Sequence, residues 1–130
     1  MASVFTKIIN REIPATLIAE DENHLAFLDI MPLSKGHTLC IPKKEVDKLF
    51  DLPQEEYNAL MNFTYMVSKA LEKTIPCKRV GMAVLGLEVP HAHIHLVPLQ
   101  SENDLNFSNQ RLKFTSEEIL KIQKDIQAQL

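Results

Sequence analysis

The sequence predicts an α+β domain built on an antiparallel sheet, and three observations predict it. Five short apolar or alternating runs read as strands, and they are grouped instead of alternating with helices as βαβ units. One long stretch, Pro53 to Ile75, changes period from two to three-and-four, the mark of an amphipathic helix. No glycine-rich phosphate loop breaks the pattern, because Gly36, Gly81 and Gly86 are the only glycines and lie too far apart to form one.

In chain order, Phe5 to Ile9 is a short apolar segment of one or two helical turns, ended by Asn10-Arg11-Glu12 and Pro14. Ala15 to Glu20 and His24 to Ile30 flank the turn-forming Asp21-Glu22-Asn23 and read as a hairpin. Pro32 to Gly36 forms a loop. Gly36 to Pro42 then alternates His37, Leu39 and Ile41 against Thr38 and Cys40, a third strand with a histidine near its start. In the long helix Tyr57, Leu60, Met61, Thr64, Val67, Leu71 and Ile75 form the apolar stripe. Pro53 is placed in its first turn, with Glu55, Glu56 and Lys73 complementing the dipole. Arg79 to Leu85 and Pro90 to Leu99 are two more strands, expected to be antiparallel neighbours. Gln100 to Phe114 is polar and reads as a surface loop. A final helix opens on the capping-box pattern Thr115 to Glu118 and carries Ile119, Ile122, Ile126 and Leu130 on one face.

The 130 residues are expected to form a single domain, with 45% hydrophobic and 24% charged residues in the ordinary globular range. A net charge of -3 argues against a nucleic-acid binder held by phosphate contacts. Cys40 and Cys77 form no CxxC pattern, and no apolar run reaches membrane-spanning length, so a soluble protein of the reducing cytoplasm is expected, with no nucleic-acid or membrane partner. His24, at the turn before the second strand, reads as a surface residue.

The chemical signal is concentrated in Pro90-His91-Ala92-His93-Ile94-His95-Leu96-Val97. On a strand, His91, His93 and His95 project from one face, about 6.5 to 7 Å apart, and Ala92, Ile94 and Leu96 from the other. A row of buried imidazoles without partners costs solvation, so a site is the economical explanation. Read from the residues alone, the row is open to three uses: metal ligation by alternate histidines with His37, a nucleophile or general base with supporting imidazoles, or a structural cluster.

The run His91-Ala92-His93-Ile94-His95-Leu96-Val97 resembles the signature of the histidine triad (HIT) family of nucleotide-binding hydrolases and transferases, particularly its adenosine phosphoramidase-like branch. The resemblance continues through Ile8 to Ala15, Leu25 to Ile30 and Gly36 to Lys44, and so covers about residues 4 to 99, leaving 100–130 as a loop and terminal helix. It implies a five-stranded antiparallel sheet with the long helix packed on it, a short N-terminal helix and two-fold association that extends the sheet. It also implies a purine nucleoside 5'-phosphate derivative as substrate, cleaved at its α-phosphate through a nucleotidyl-histidine. Catalysis would fall to His93 as nucleophile, with His91, His95 and His37 around it. Nucleotide binding would fall to Asp29 for the ribose, Phe5, Ile8, Ile13, Phe27 and Ile30 for the base, and Gly86 and Glu88 for the loop beside the phosphates. No cofactor is implied. The zinc that some relatives bind through an N-terminal Cys-x-x-Cys is expected to be absent, since those positions are Ser3 and Thr6.

The chain departs from the family at Val80, Leu87 and Glu88, where polar groups near the phosphates are usual. Two alternatives therefore stand beside the hydrolase: a nucleotide-binding or regulatory module with little catalysis, and a metal-binding protein using the HxHxH strand.

Overall fold

A computed structural model of the chain describes residues 2–130. Five antiparallel strands, β1 (Leu17–Glu20), β2 (His24–Leu28), β3 (Thr38–Pro42), β4 (Arg79–Ala83) and β5 (Ile94–Leu99), form one sheet in the order β1-β2-β3-β5-β4. Three helices accompany them: α1 (Val4–Ile9), α2 (Gln54–Thr74) and α3 (Ser116–Gln127). The predicted α+β class, the antiparallel β4–β5 pairing and the long helix all stand.

The two faces of the sheet are covered differently. On one, Ala26, Cys40, Ile94 and Leu96 pack with Leu60, Phe63, Val67 and Leu71 of α2 and with Ile122 and Ile126 of α3. Leu60, Val67 and Leu71 have no exposed surface, and burying each such side chain stabilises the fold by roughly 1.5–3 kcal/mol. On the other, Leu25, Phe27, Leu39 and Ile41 pack against Phe5 and Ile8 of α1. This second, thinner layer is where His37, His91, His93 and His95 lie.

Several boundaries shift for local reasons. Pro53 caps α2 from outside instead of sitting in its first turn, with an extended ψ of 146°. The α2 stripe gains Phe63, which the periodic reading passed over, while Tyr57 and Met61 are only partly buried. Leu130 lies beyond α3 and is 47% exposed. The capping box at Thr115 and Glu118 forms as expected, each side chain satisfying the other residue's backbone N–H at 3.1 and 2.7 Å. Gln100 to Phe114 is not wholly irregular, since Glu102–Leu105 makes a 3-10 turn capped by Ser101 and Asp104. His24 is buried, contrary to its surface assignment: its Nδ1 meets the Asp21 carboxylate and its ring lies 5.1 Å from that of Phe63.

Candidate active site

The strand β5 begins at Ile94, not at Pro90, so His91 and His93 precede it. The ladder between β3 and β5 pairs Cys40 with Ile94. Continued, it would bring Pro42 opposite Ala92, and proline has no N–H to donate. The chain instead turns aside, with the His91 amide donating to Val89 O at 2.8 Å and the Ala92 amide to Val46 O at 2.7 Å. Even so, the alternation persists. Ala92, Ile94 and Leu96 enter the core beneath α2, while His91, His93 and His95 stand on the α1 side.

Backbone partners fix the proton positions on three imidazoles, and the third of these fixes a fourth. His91 Nε2 lies 2.8 Å from Pro42 O, which can only accept, so this nitrogen carries the hydrogen and Nδ1 accepts from the Ser3 hydroxyl at 2.8 Å. His93 Nδ1 donates to the His91 carbonyl at 2.7 Å, which leaves Nε2 of the neutral ring with a free lone pair. The Leu33 amide donates to His37 Nδ1 at 3.0 Å. His37 must then donate through Nε2, at 3.0 Å, to His95 Nδ1, and neutral His95 keeps its hydrogen on Nε2. One ring therefore presents a lone pair and its neighbour, with centroids 4.9 Å apart, presents an N–H.

Burial keeps the supporting rings neutral. His37 is 1% exposed, and desolvation, reinforced by the charges of His95 and Arg111, lowers its pKa to about 3. The same desolvation, with His93 and Arg111, lowers His95 to about 4. His91, fully buried, is also lowered, against the opposing pull of Pro42 O and Glu45. Asp29 is shifted up by its burial; its Oδ1 accepts from the Met31 amide at 2.8 Å and its Oδ2 lies 3.5 Å from His37 Nε2.

The other sequence candidates divide. Phe5, Ile8 and Phe27 form one buried cluster with Ile13 packed against it, and the Phe5 ring meets His93 edge-on at 5.0 Å and 84°. Ile30 does not join them: it lies past the end of β2 and is 93% exposed. Gly86, with φ +70°, and exposed Glu88 lie in the bend between β4 and His91. Val80 packs on the core face, and Leu87 is 90% exposed.

The sequence reading passed over five neighbours. Glu45 accepts from the Ser3 amide and the Thr6 hydroxyl, and the Ser3 hydroxyl bonds in turn to His91. Phe107 stacks edge-on against His95 at 4.7 Å, and Arg111 lies over the Phe107 ring while donating to Met31 O at 2.8 Å. Phe107 and Arg111, four residues apart in the mostly polar run from Gln100, were the available signal for this second pair.

Metal ligation fits these donors poorly. Among the described residues, atoms of Asp29, His37 and His95 lie within 4.8 Å of one another. The His37 nitrogen in that group carries the proton, because its other nitrogen accepts from Leu33. Both nitrogens of His91 are committed as well. At the N-terminus, the Ser3 and Thr6 hydroxyls replace the thiolates a zinc site would use and are already bonded within the protein, so the residues there do not fit zinc either.

Comparison with known proteins places this arrangement among others. The HIT domain family matches residues 10–102. A HIT-like protein of Methanocaldococcus jannaschii is 43% identical over 105 residues, 73% of this chain and 77% of that one. An adenosine 5'-monophosphoramidase of Saccharomyces cerevisiae is 37% identical over 102 residues, 78% of this chain and 65% of the yeast protein. The crystal structure of a Hit-like protein from Bartonella henselae superposes with a TM-score of 0.84 at 28% identity, covering 98% of this chain and 96% of that one.

Proposed function

From the premise that the chain belongs to the HIT domain family of nucleotide-processing proteins, we propose that it cleaves the α-phosphate bond, P–N or phosphoanhydride, of a purine nucleoside 5'-phosphate derivative. His93 Nε2 attacks the α-phosphorus, an N–P bond forms, and the bond to the leaving group breaks. His95 Nε2–H hydrogen-bonds to the departing amine nitrogen or phosphate oxygen, or to a phosphoryl oxygen, and a departing amine takes its proton from solvent water. Water then displaces the nucleotide from His93, giving the nucleoside monophosphate. Asp29 accepts from the ribose hydroxyls, and Phe5, Ile8, Ile13 and Phe27 supply the apolar wall for the base.

The observation that carries this reading is the short bond from His93 Nδ1 to the His91 carbonyl, which orients the ring and leaves its second nitrogen nucleophilic. No cofactor enters the scheme, and the committed nitrogens of His91 and His37 favour it over metal ligation. Self-association through β4 belongs to the same reading: β4 is an edge strand, and Met82, Val84, Leu85 and Leu87 around it are exposed. A cytoplasmic setting is proposed from the unpaired Cys40 and Cys77, and among the described residues no helix is long and apolar enough to cross a membrane.

Mass spectrometry of protein quenched during turnover of an adenosine phosphoramidate tests the reaction. An adduct on His93 with the mass of a nucleoside monophosphate less one water is expected, absent in His93→Ala. The departures at Val80, Leu87 and Glu88 favour a second reading, a nucleotide-binding module with little catalysis, and tight AMP binding with no turnover in the natural protein would establish that one instead.

A further inference from the structure

A chain of hydrogen bonds runs from the exposed carboxylate of Glu45 through Ser3 to the His91 ring, beside the proposed nucleophile. Glu45, in the segment after β3, accepts the Ser3 backbone N–H and the Thr6 hydroxyl through Oε1, both at 2.6 Å. Ser3 is the N-cap of α1, its Oγ accepting from the Thr6 amide at 3.0 Å. That same hydroxyl has one hydrogen, and it is directed to His91 Nδ1 at 2.8 Å. His91 then donates through Nε2 to Pro42 O, and its carbonyl receives the Nδ1–H of His93.

We propose that Glu45 is a positioning residue for His93, acting through Ser3 and Thr6 to hold the His91 ring in place and to seat α1 over the site. The first effect is on His91: Ser3, whose backbone the carboxylate fixes, supplies the donor at its Nδ1, and a displaced Ser3 leaves that buried nitrogen to the Thr6 hydroxyl at 3.4 Å or without a partner. The second follows from geometry. The helix whose start Glu45 fixes also carries Phe5, whose ring meets both His91 and His93 edge-on at 5.8 and 5.0 Å. The backbone and hydroxyl donors together hold the Glu45 carboxyl down at about 2, so it stays ionised wherever the protein is folded near neutral pH.

The proposal rests on the reading of His93 as nucleophile, and two measurements on the full chain separate the two claims. Imidazole ¹⁵N shifts report tautomers with no catalysis required. The natural protein is expected to show His91 protonated at Nε2 alone and His93 at Nδ1 alone. In Glu45→Ala and Ser3→Ala the tautomers are expected to persist, because backbone carbonyls fix them, while the His91 Nδ1 shift moves toward that of an unbonded acceptor nitrogen and kcat on an adenosine phosphoramidate falls about tenfold to hundredfold, the scale of loss for a displaced reacting group. AMP affinity is expected to fall as well in Glu45→Ala, because the helix start it holds carries Phe5 and Ile8. Glu45→Gln, which keeps one acceptor oxygen, is expected to restore most of the natural His91 Nδ1 shift and confirms that Glu45→Ala acts through the lost acceptor and not through unfolding. Unchanged ¹⁵N shifts in Glu45→Ala overturn the positioning role. If the natural protein has no turnover, the shifts still decide the role of Glu45 and only the hydrolase reading falls.

Discussion

At the scale of single residues, each imidazole of the site is assigned a task by the backbone atom it meets or, for His95, by the His37 ring. Pro42 O, His91 O and the Leu33 amide distribute the hydrogens so that His93 offers a lone pair and His95 an N–H. Burial makes His37, His91 and His95 acid-sensitive. His37 is held neutral in the folded protein down to about pH 3, whereas in the unfolded chain it protonates near the ordinary value of 6.5. Unfolding therefore takes up a proton below pH 6.5, so the stability contribution is complete above that value and is lost as pH falls toward 3. At pH 5 this amounts to about 2 kcal/mol for each histidine held neutral. Urea midpoints measured from pH 7 to 5, above the carboxylate range, are expected to fall steadily, and His37→Gln is expected to flatten the slope. Equal slopes in the two proteins would remove His37 from the account.

Elements set the positions from which those residues act. The loop between β2 and β3 brings His37 to the site through Gly36, whose φ of +91° suits glycine alone. An added Cβ would also lie 2.8 Å from the Ile75 side chain at the end of α2. Gly36→Ala is thus expected to destabilise the fold by roughly 1–3 kcal/mol, by combining left-handed strain with overpacking. Chemical denaturation reads this directly, and a loss under about 0.5 kcal/mol, the range of ordinary surface changes, would mean that the loop relaxes. Helix periodicity made α2 and α3 legible in the sequence, and the Thr115 capping box marked the start of α3 within a residue. The start of β5 was not legible. Alternating side chains continue through His91 and His93 after the ladder has ended, because alternation follows the extended backbone and the ladder follows available donors, which Pro42 lacks.

On the scale of the whole molecule, the sheet separates a thick core under α2 and α3 from the thin layer that holds the histidines beneath α1. The β1 edge is covered, since Gln123 and Gln127 of α3 donate to Leu17 O. The β4 edge is open, with Met82 51% and Leu87 90% exposed beside it. If this edge pairs with a second copy as proposed, light scattering after gel filtration gives a dimer mass, and Val84→Lys with Leu87→Lys shifts it to a monomer that keeps its melting temperature. A monomeric natural protein would retire the pairing.

By itself the sequence determined the α+β class, the long helix, the two-faced histidine run and the family it resembles, because periodicity and motif spacing are local properties written in consecutive residues. Only the tertiary structure decided which proton each imidazole holds, that His24 is buried and Ile30 exposed, and that Ser3, Thr6, Glu45, Phe107 and Arg111 border the triad. These depend on atoms far apart in the chain, such as Ser3 against His91 or Phe107 against His37, and nothing in local spacing records where a distant loop will bring its donors.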